Sequence, residues 1–232
     1  MILRQLWDQE SHTFTYLLAD SKASEAVLID PVAGQIAQYE RILSELELTL
    51  VAALDTHVHA DHVTALGALR ATFGCDTYLG RGGEVACSDN SLEHEMQIKF
   101  GEYTLSVLYT PGHTDDSYCF YTKDETQAYL FTGDTLLIRG TGRTDFQNGS
   151  SEALYDSLHR LVLAHDDNTV VYPAHDYKGW TSSTIGEERA HNPRLQFSKA
   201  EFIDFMDTLD LPNPKFMDVA VPANKQCGKV FG

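Results

Sequence analysis

Thr56-His57-Val58-His59-Ala60-Asp61-His62 sets three imidazoles and a carboxylate within six consecutive residues, His57 to His62. Side chains of these types crowded into one turn waste hydrogen bonds and repel one another unless a cation organises them. Imidazole and carboxylate together suit zinc, iron and related transition metals. Three later residues extend the donor set: His113 in Thr110-Pro-Gly-His-Thr, Asp134 in Phe131-Thr-Gly-Asp-Thr, and His175 in Tyr172-Pro-Ala-His-Asp. Gly112 and Gly133 let the backbone turn sharply just before a ligand, and Pro111 and Pro173 stiffen the chain nearby. A lone histidine in such a place is a loop residue; together with the first cluster, these three read as metal ligands. His12, His94, His159, His165 and His191 have no ligand-like spacing and are assigned surface or packing roles.

The elements that must hold these donors follow from hydrophobic period. Phe14-Thr-Tyr-Leu-Leu and Glu25-Ala-Val-Leu-Ile-Asp read as paired strands, and Ile36 to Leu48 carries apolar residues at helical spacing. Val51-Ala-Ala-Leu is a short buried strand that delivers the chain to Asp55, Thr56 and the first histidines; residues 63 to 73 then read as a helix stopped by Gly74. Alternation around Gly101-Glu102 predicts a hairpin over residues 98 to 109, and residues 117 to 122 and 128 to 132 continue the strands. Residues 151 to 164 form the next helix, Val170-Val-Tyr another strand, and residues 184 to 191 a helix ended by Asn192-Pro193. Ser198-x-x-Glu201 is a capping box opening a helix through Leu209, and the Pro-rich tail reads as irregular. Strands then helix, twice over, predict two sheets with helices outside, an αββα four-layer sandwich.

Composition bounds the rest. The 232 residues are 43% hydrophobic and 22% charged, enough for one large α/β domain spanning 1–232. The 34 acidic against 17 basic residues, a formal charge of −17, repel phosphate backbones and anionic headgroups, so nucleic-acid and membrane-surface roles are excluded. No apolar run reaches membrane-helix length and no leader is evident, so we expect a cytoplasmic protein. Cys75, Cys87, Cys119 and Cys227 are too sparse for a disulfide framework and contain no CxxC pair; reduced thiols are expected, with Cys75, Cys87 and Cys119 as buried small apolar residues.

The HxHxDH stretch from His57 to His62, with His113, Asp134 and His175, resembles the metallo-β-lactamase superfamily, and the resemblance covers nearly the whole chain. Arg139-Gly-Thr-Gly-Arg-Thr-Asp-Phe-Gln-Asn-Gly, His175-Asp-Tyr-Lys-Gly, Glu187-Glu-Arg and Asn192-Pro-Arg are similar to the persulfide dioxygenase pattern within it. The short tail also looks unlike the longer helical, basic end of glyoxalase II proteins. The resemblance implies one Fe(II) per chain held by His57, His113 and Asp134 as catalytic ligands. It implies glutathione persulfide and O2 as substrates, sulfite and glutathione as products, and a homodimer. His59, Asp61, His62 and His175 would then orient those ligands and handle protons. Because glutathione carries two carboxylates, Arg139, Arg143 and Lys178 are candidate grips; Tyr177 is a candidate hydrogen-bond donor, and Cys227 a neighbour of the sulfur. The competing reading is a glyoxalase II type thioester hydrolase with two metals, since every dinuclear ligand is present; a non-catalytic metal-binding protein of the same fold is the other. One departure stands out: Asp115-Asp116 follows Thr114 where the superfamily commonly places glycine, and Asp tolerates left-handed backbone better than most residues.

Overall fold

The computed structural model describes residues 1–80 and 88–229. Its strands are β1 (Ile2–Trp7), β2 (Phe14–Asp20), β3 (Glu25–Ile29), β4 (Thr49–Leu54), β5 (Asp76–Leu79), β6 (Asn90–Ser91), β7 (Gln97–Phe100), β8 (Tyr103–Tyr109), β9 (Tyr118–Lys123), β10 (Ala128–Gly133), β11 (Val170–Pro173) and β12 (Ser183–Thr184). Its α-helices are α1 (Ile36–Glu45), α2 (Leu66–Phe73), α3 (Ser151–Arg160), α4 (Ile185–His191), α5 (Lys199–Asp207) and α6 (Met217–Asn224). The described chain divides into two compact units: one from Met1–Leu92, Ile98–Thr104 and Asn213–Gly232, the other from Glu93–Gln97 and Leu105–Pro212. No helix among the described residues is long and apolar enough to cross a membrane.

The first unit is built on a six-stranded sheet of order β1-β2-β3-β4-β5-β6, antiparallel through β3 and parallel from there on. Every residue of β2 is buried, as a central apolar run requires. Tyr39 and Leu43 on α1, with Leu66 and Leu69 on α2, pack against Leu17, Ala19, Leu28 and Leu79 of the sheet. Gly74 at φ 66° ends α2 in the left-handed conformation that a helix terminus favours. The outcome of this packing is that β4 ends at Leu54, buried, and presents residues 55–62 at its carboxyl end, where ligands of parallel strands are found.

The second sheet has the order β12-β11-β10-β9-β8-β7, with one parallel pair, β10 and β11. Leu154 and Leu158 on α3, Ile185 on α4 and Phe202 and Met206 on α5 pack with Leu130 and Val171 of its strands. The Ser198 and Glu201 capping box opens α5 as the sequence predicts, and Ser150 caps α3 by accepting from the Ala153 N–H.

Several boundaries differ from the sequence expectation. The helix expected from residue 63 starts at Leu66, because Val63 and Thr64 are used in extended contacts: Ala33 N–H donates to Val63 O at 2.8 Å and Thr64 bridges Val32. The helix expected through residue 164 ends at Arg160, and Val162–Ala164 tighten into a 3-10 turn. The tail expected to be irregular forms α6 despite Pro222 inside it. Cys87 lies outside the described residues.

Candidate metal centre

In the first unit the donors sit where β4 ends, and their hydrogen bonds fix which ring nitrogen carries a lone pair. Asp30, 1% exposed, accepts the Thr56 N–H at 2.6 Å and the Thr56 hydroxyl at 3.1 Å. With that hydroxyl proton committed, His57 Nδ1, 3.0 Å from Thr56 Oγ1, must be the donor, and Nε2 of the neutral ring holds the lone pair. His59 reaches the same carboxylate through Nε2 at 3.0 Å, which leaves its lone pair on Nδ1, 3.7 Å from Asp61 Oδ1. Thr13 donates to Asp61 Oδ2 at 2.8 Å, and His62 Nδ1 lies 2.9 Å from that oxygen, so Nε2 is the lone-pair nitrogen of His62. The three rings lie close and tilted to one another, with centroids 4.1 Å apart for His57 and His59 and 4.3 Å for His59 and His62.

This arrangement suits a cation. Ligand atoms of His59, Asp61 and His62 all lie within 4.8 Å of one another. Burial opposes a charge on His59, but the carboxylates of Asp30 and Asp61 beside it outweigh that and hold its proton affinity well above the ordinary imidazole range.

The turn that carries these residues is clamped from far along the chain. Asn224, fully buried at the end of α6, donates its amide to His59 O at 2.9 Å and to His62 O at 2.8 Å, and accepts the Thr64 N–H at 2.8 Å.

In the second unit, β8 leads to His113 and β10 to Asp134. Gly133 adopts φ 51°, as the sharp turn before a ligand demands. His113 Nδ1 donates to Arg143 O at 2.7 Å, which again leaves Nε2 with the lone pair. That nitrogen faces Asp134 Oδ2 at 3.5 Å. For a neutral imidazole these are two acceptors turned toward one another, a repulsive pairing that a cation reverses. Asp134 Oδ1 instead accepts from His175 Nδ1 at 2.7 Å, and Tyr177 lies parallel to the His175 ring at 6.1 Å. Gly142 closes over this pair: its N–H donates to Asp134 O at 2.7 Å, and a Cβ there would meet Asp134 O at 2.3 Å and His113 Nδ1 at 2.8 Å.

The residues expected to bind substrate divide. Tyr177 and Lys178 are exposed on the loop after β11, which Asp176 organises by accepting the Lys178 and Trp180 N–H groups at 2.8 and 2.6 Å. Arg139, by contrast, gives its guanidinium to Glu187 and Glu188. Arg143 binds both oxygens of Asp145 at 2.6 and 2.7 Å and the carbonyls of Pro212 and Leu211 at 2.7 and 3.1 Å. Both arginines are thus engaged by groups inside the protein. Cys227 is buried and its sulfur is in a disulfide, which corrects the expectation of four reduced thiols and removes it as a thiol neighbour of substrate; Cys75 and Cys119 are free. Neither Asp115 nor Asp116 uses left-handed backbone, so glycine's freedom is not needed there; Asp115 accepts from Asn148 at 2.9 Å.

Asp30, Thr56, Asn224 and Glu188 are site residues that the sequence reading missed. Thr56 and Asp30 were signalled by position, each at the end of a strand beside a ligand segment. Asn224 had no such signal, being 165 residues from His59 in a tail without a helix pattern.

Comparison with known proteins shows the family. Residues 9–175 match the family model of the metallo-β-lactamase superfamily. The chain is 46% identical over 229 residues to the mitochondrial persulfide dioxygenase ETHE1 of Mus musculus, covering 98% of this chain and 89% of that protein. The crystal structure of ETHE1 from Myxococcus xanthus superposes with a TM-score of 0.94 at 49% identity, covering 99% of this chain and 100% of that one. A probable hydroxyacylglutathione hydrolase of Schizosaccharomyces pombe is 31% identical over 174 residues, 74% of this chain and 67% of that protein. The donor turn at the end of β4, the His113 and Asp134 pair and these likenesses agree: the chain has the αββα metallo-β-lactamase fold and belongs, within that superfamily, to the persulfide dioxygenase family.

Proposed function

We propose that the protein oxidises glutathione persulfide with O2 and water to sulfite and glutathione, at one ferrous iron held by His57, His113 and Asp134. The outer sulfur is oxidised, dioxygen is reduced, both its atoms end in sulfite with the third oxygen from water, and a proton returns to the glutathione thiolate. Iron supplies the redox partner that lets triplet dioxygen react with closed-shell sulfur, which zinc does not. The donor set fits it: two imidazoles whose Nε2 atoms carry lone pairs and one carboxylate oxygen.

The observation that carries one metal over two is the division of labour on Asp134. Its Oδ2 faces His113, and its Oδ1 is taken by the His175 N–H at 2.7 Å. While Oδ1 accepts this hydrogen bond it is not offered to a second metal. In this reading His175 holds a proton at Nδ1 against Asp134 and keeps the carboxylate oriented, and Asp30 does the same for His57 through Thr56. His59, Asp61 and His62 would line a polar wall of the site, where Asp61 and His62 would take up protons released when sulfite forms. Tyr177 and Lys178 meet the peptide arm of the substrate, and Arg139 and Arg143 serve by holding the ligand loop.

Metal analysis and an oxygen electrode test this. Purified protein should retain about one iron per chain and consume O2 when glutathione persulfide is added; zinc-loaded protein should keep its fold and consume none. Two metals per chain, with thioester cleavage and no oxygen uptake, would establish the hydrolase reading instead.

A further inference from the structure

The Glu187-Glu-Arg and Asn192-Pro-Arg segments have no part in the chemistry above, yet they meet the loop between Asp134 and Arg143 at four backbone groups, on Leu137, Arg139, Gly140 and Thr141. Glu188 is a fully buried carboxylate. It accepts the Arg139 N–H at 2.8 Å, the Arg139 guanidinium, the Ser183 hydroxyl at 2.6 Å and the Asn192 amide at 2.9 Å. Arg139 offers that N–H from φ 57°, a left-handed conformation costly for any residue but glycine unless its surroundings fix it. Asn192, also fully buried, donates further to Gly140 O at 3.0 Å and Leu137 O at 3.4 Å. Arg194 donates to Thr141 O at 2.8 Å and to Thr141 Oγ1 at 2.9 Å.

From Thr141 the coupling to the donors is direct. The next residue, Gly142, is bonded to Asp134 O at 2.7 Å and lies against the His113 ring; the one after, Arg143, accepts the His113 Nδ1 proton at 2.7 Å. The positions of Asp134 and His113 therefore depend on where residues 137–143 are held, and that is decided by Glu188, Asn192 and Arg194.

We infer that Glu188, Asn192 and Arg194 are positioning residues for the metal-ligating pair His113 and Asp134, and that they set how tightly the metal is held without touching it. The inference rests on the proposed metal centre. It is tested with Asn192→Ser, which keeps a hydroxyl able to cap the Arg194 N–H but loses the amide that braces the loop, and with Arg194→Met, which keeps the apolar stem beside Phe205 and Met206. Val162→Ala, in the same core but away from the loop, controls for lost stability alone.

Iron affinity is measured by chelator competition, and the melting temperature of each metal-free protein is measured alongside. Both loop variants should hold iron about tenfold to a hundredfold more weakly, whereas Val162→Ala should hold it as the parent does despite an equal or greater loss of melting temperature. Parent-like affinity in Asn192→Ser and Arg194→Met, or a loss in Val162→Ala that scales with its melting temperature in the same way, overturns the inference. Should the parent take up no iron, the functional reading fails, and the same comparison with zinc decides this one, because ligand positioning does not depend on which divalent ion is bound.

Discussion

Replacing Asn224 by alanine removes three hydrogen bonds from the turn that carries His59 and His62. The Thr64 N–H loses its acceptor and the His59 and His62 carbonyls lose their donor, at a site that is fully buried. A buried backbone group left unsatisfied costs about 1–3 kcal/mol, and each carbonyl that loses one bond costs roughly 1, so the variant should be destabilised by about 3 kcal/mol. For a chain of this size that corresponds to a melting temperature lower by roughly 6–12 °C. Urea unfolding of the metal-free protein measures the first quantity. Chelator competition should show metal affinity falling about tenfold or more, because the donor turn gains alternatives to its metal-binding shape. Asn224→Asp separates the parts: it keeps an acceptor for Thr64 but turns a carboxylate toward two carbonyls, and should be at least as damaging as alanine. A loss in Asn224→Ala below about 0.5 kcal/mol, with unchanged metal affinity, would refute the clamp.

Two further outcomes follow from named contacts. Gly142→Ala should retain little iron while remaining folded, since its Cβ would meet Asp134 O at 2.3 Å and the His113 ring at 2.8 Å, and metal analysis after purification reads this directly. Burial pushes the Cys75 thiol up to about 11, so it should resist alkylation at pH 8 in the native protein and react on unfolding. The same shift has a sign in stability. The folded state keeps the proton while the unfolded chain releases it above its ordinary value of about 8.5, so Cys75 should cost stability progressively as pH rises toward 11, by roughly 3 kcal/mol at most. A Cys75→Ala protein should show a flatter alkaline stability profile.

The donors themselves were legible from spacing. His57 to His62 is a local motif, and each later candidate ligand sits after a strand with a glycine or proline before it, so residue type and turn chemistry are enough to nominate them. Strands and helices with strong period, such as β2, β3, α1 and α5, were legible for the same reason. The two-residue strands β6 and β12 were not, because two residues carry no period, and α6 was hidden by Pro222. Charge alone did not reveal the internal partners of Arg139 and Arg143: a basic residue beside a ligand segment looks the same in sequence whether or not its guanidinium also meets Glu188 or Asp145.

Sequence by itself determined which atoms can bind a metal and which turns present them, since those properties are local to a few covalently linked residues. Tertiary structure alone decided which ring nitrogen of each histidine carries the lone pair, which arginines are engaged within the protein, and that Asn224 and Asn192 brace turns 160 and 52 residues away. Each of these depends on hydrogen-bond partners distant in the chain, and the packing of apolar faces, rather than any local pattern, chooses those partners.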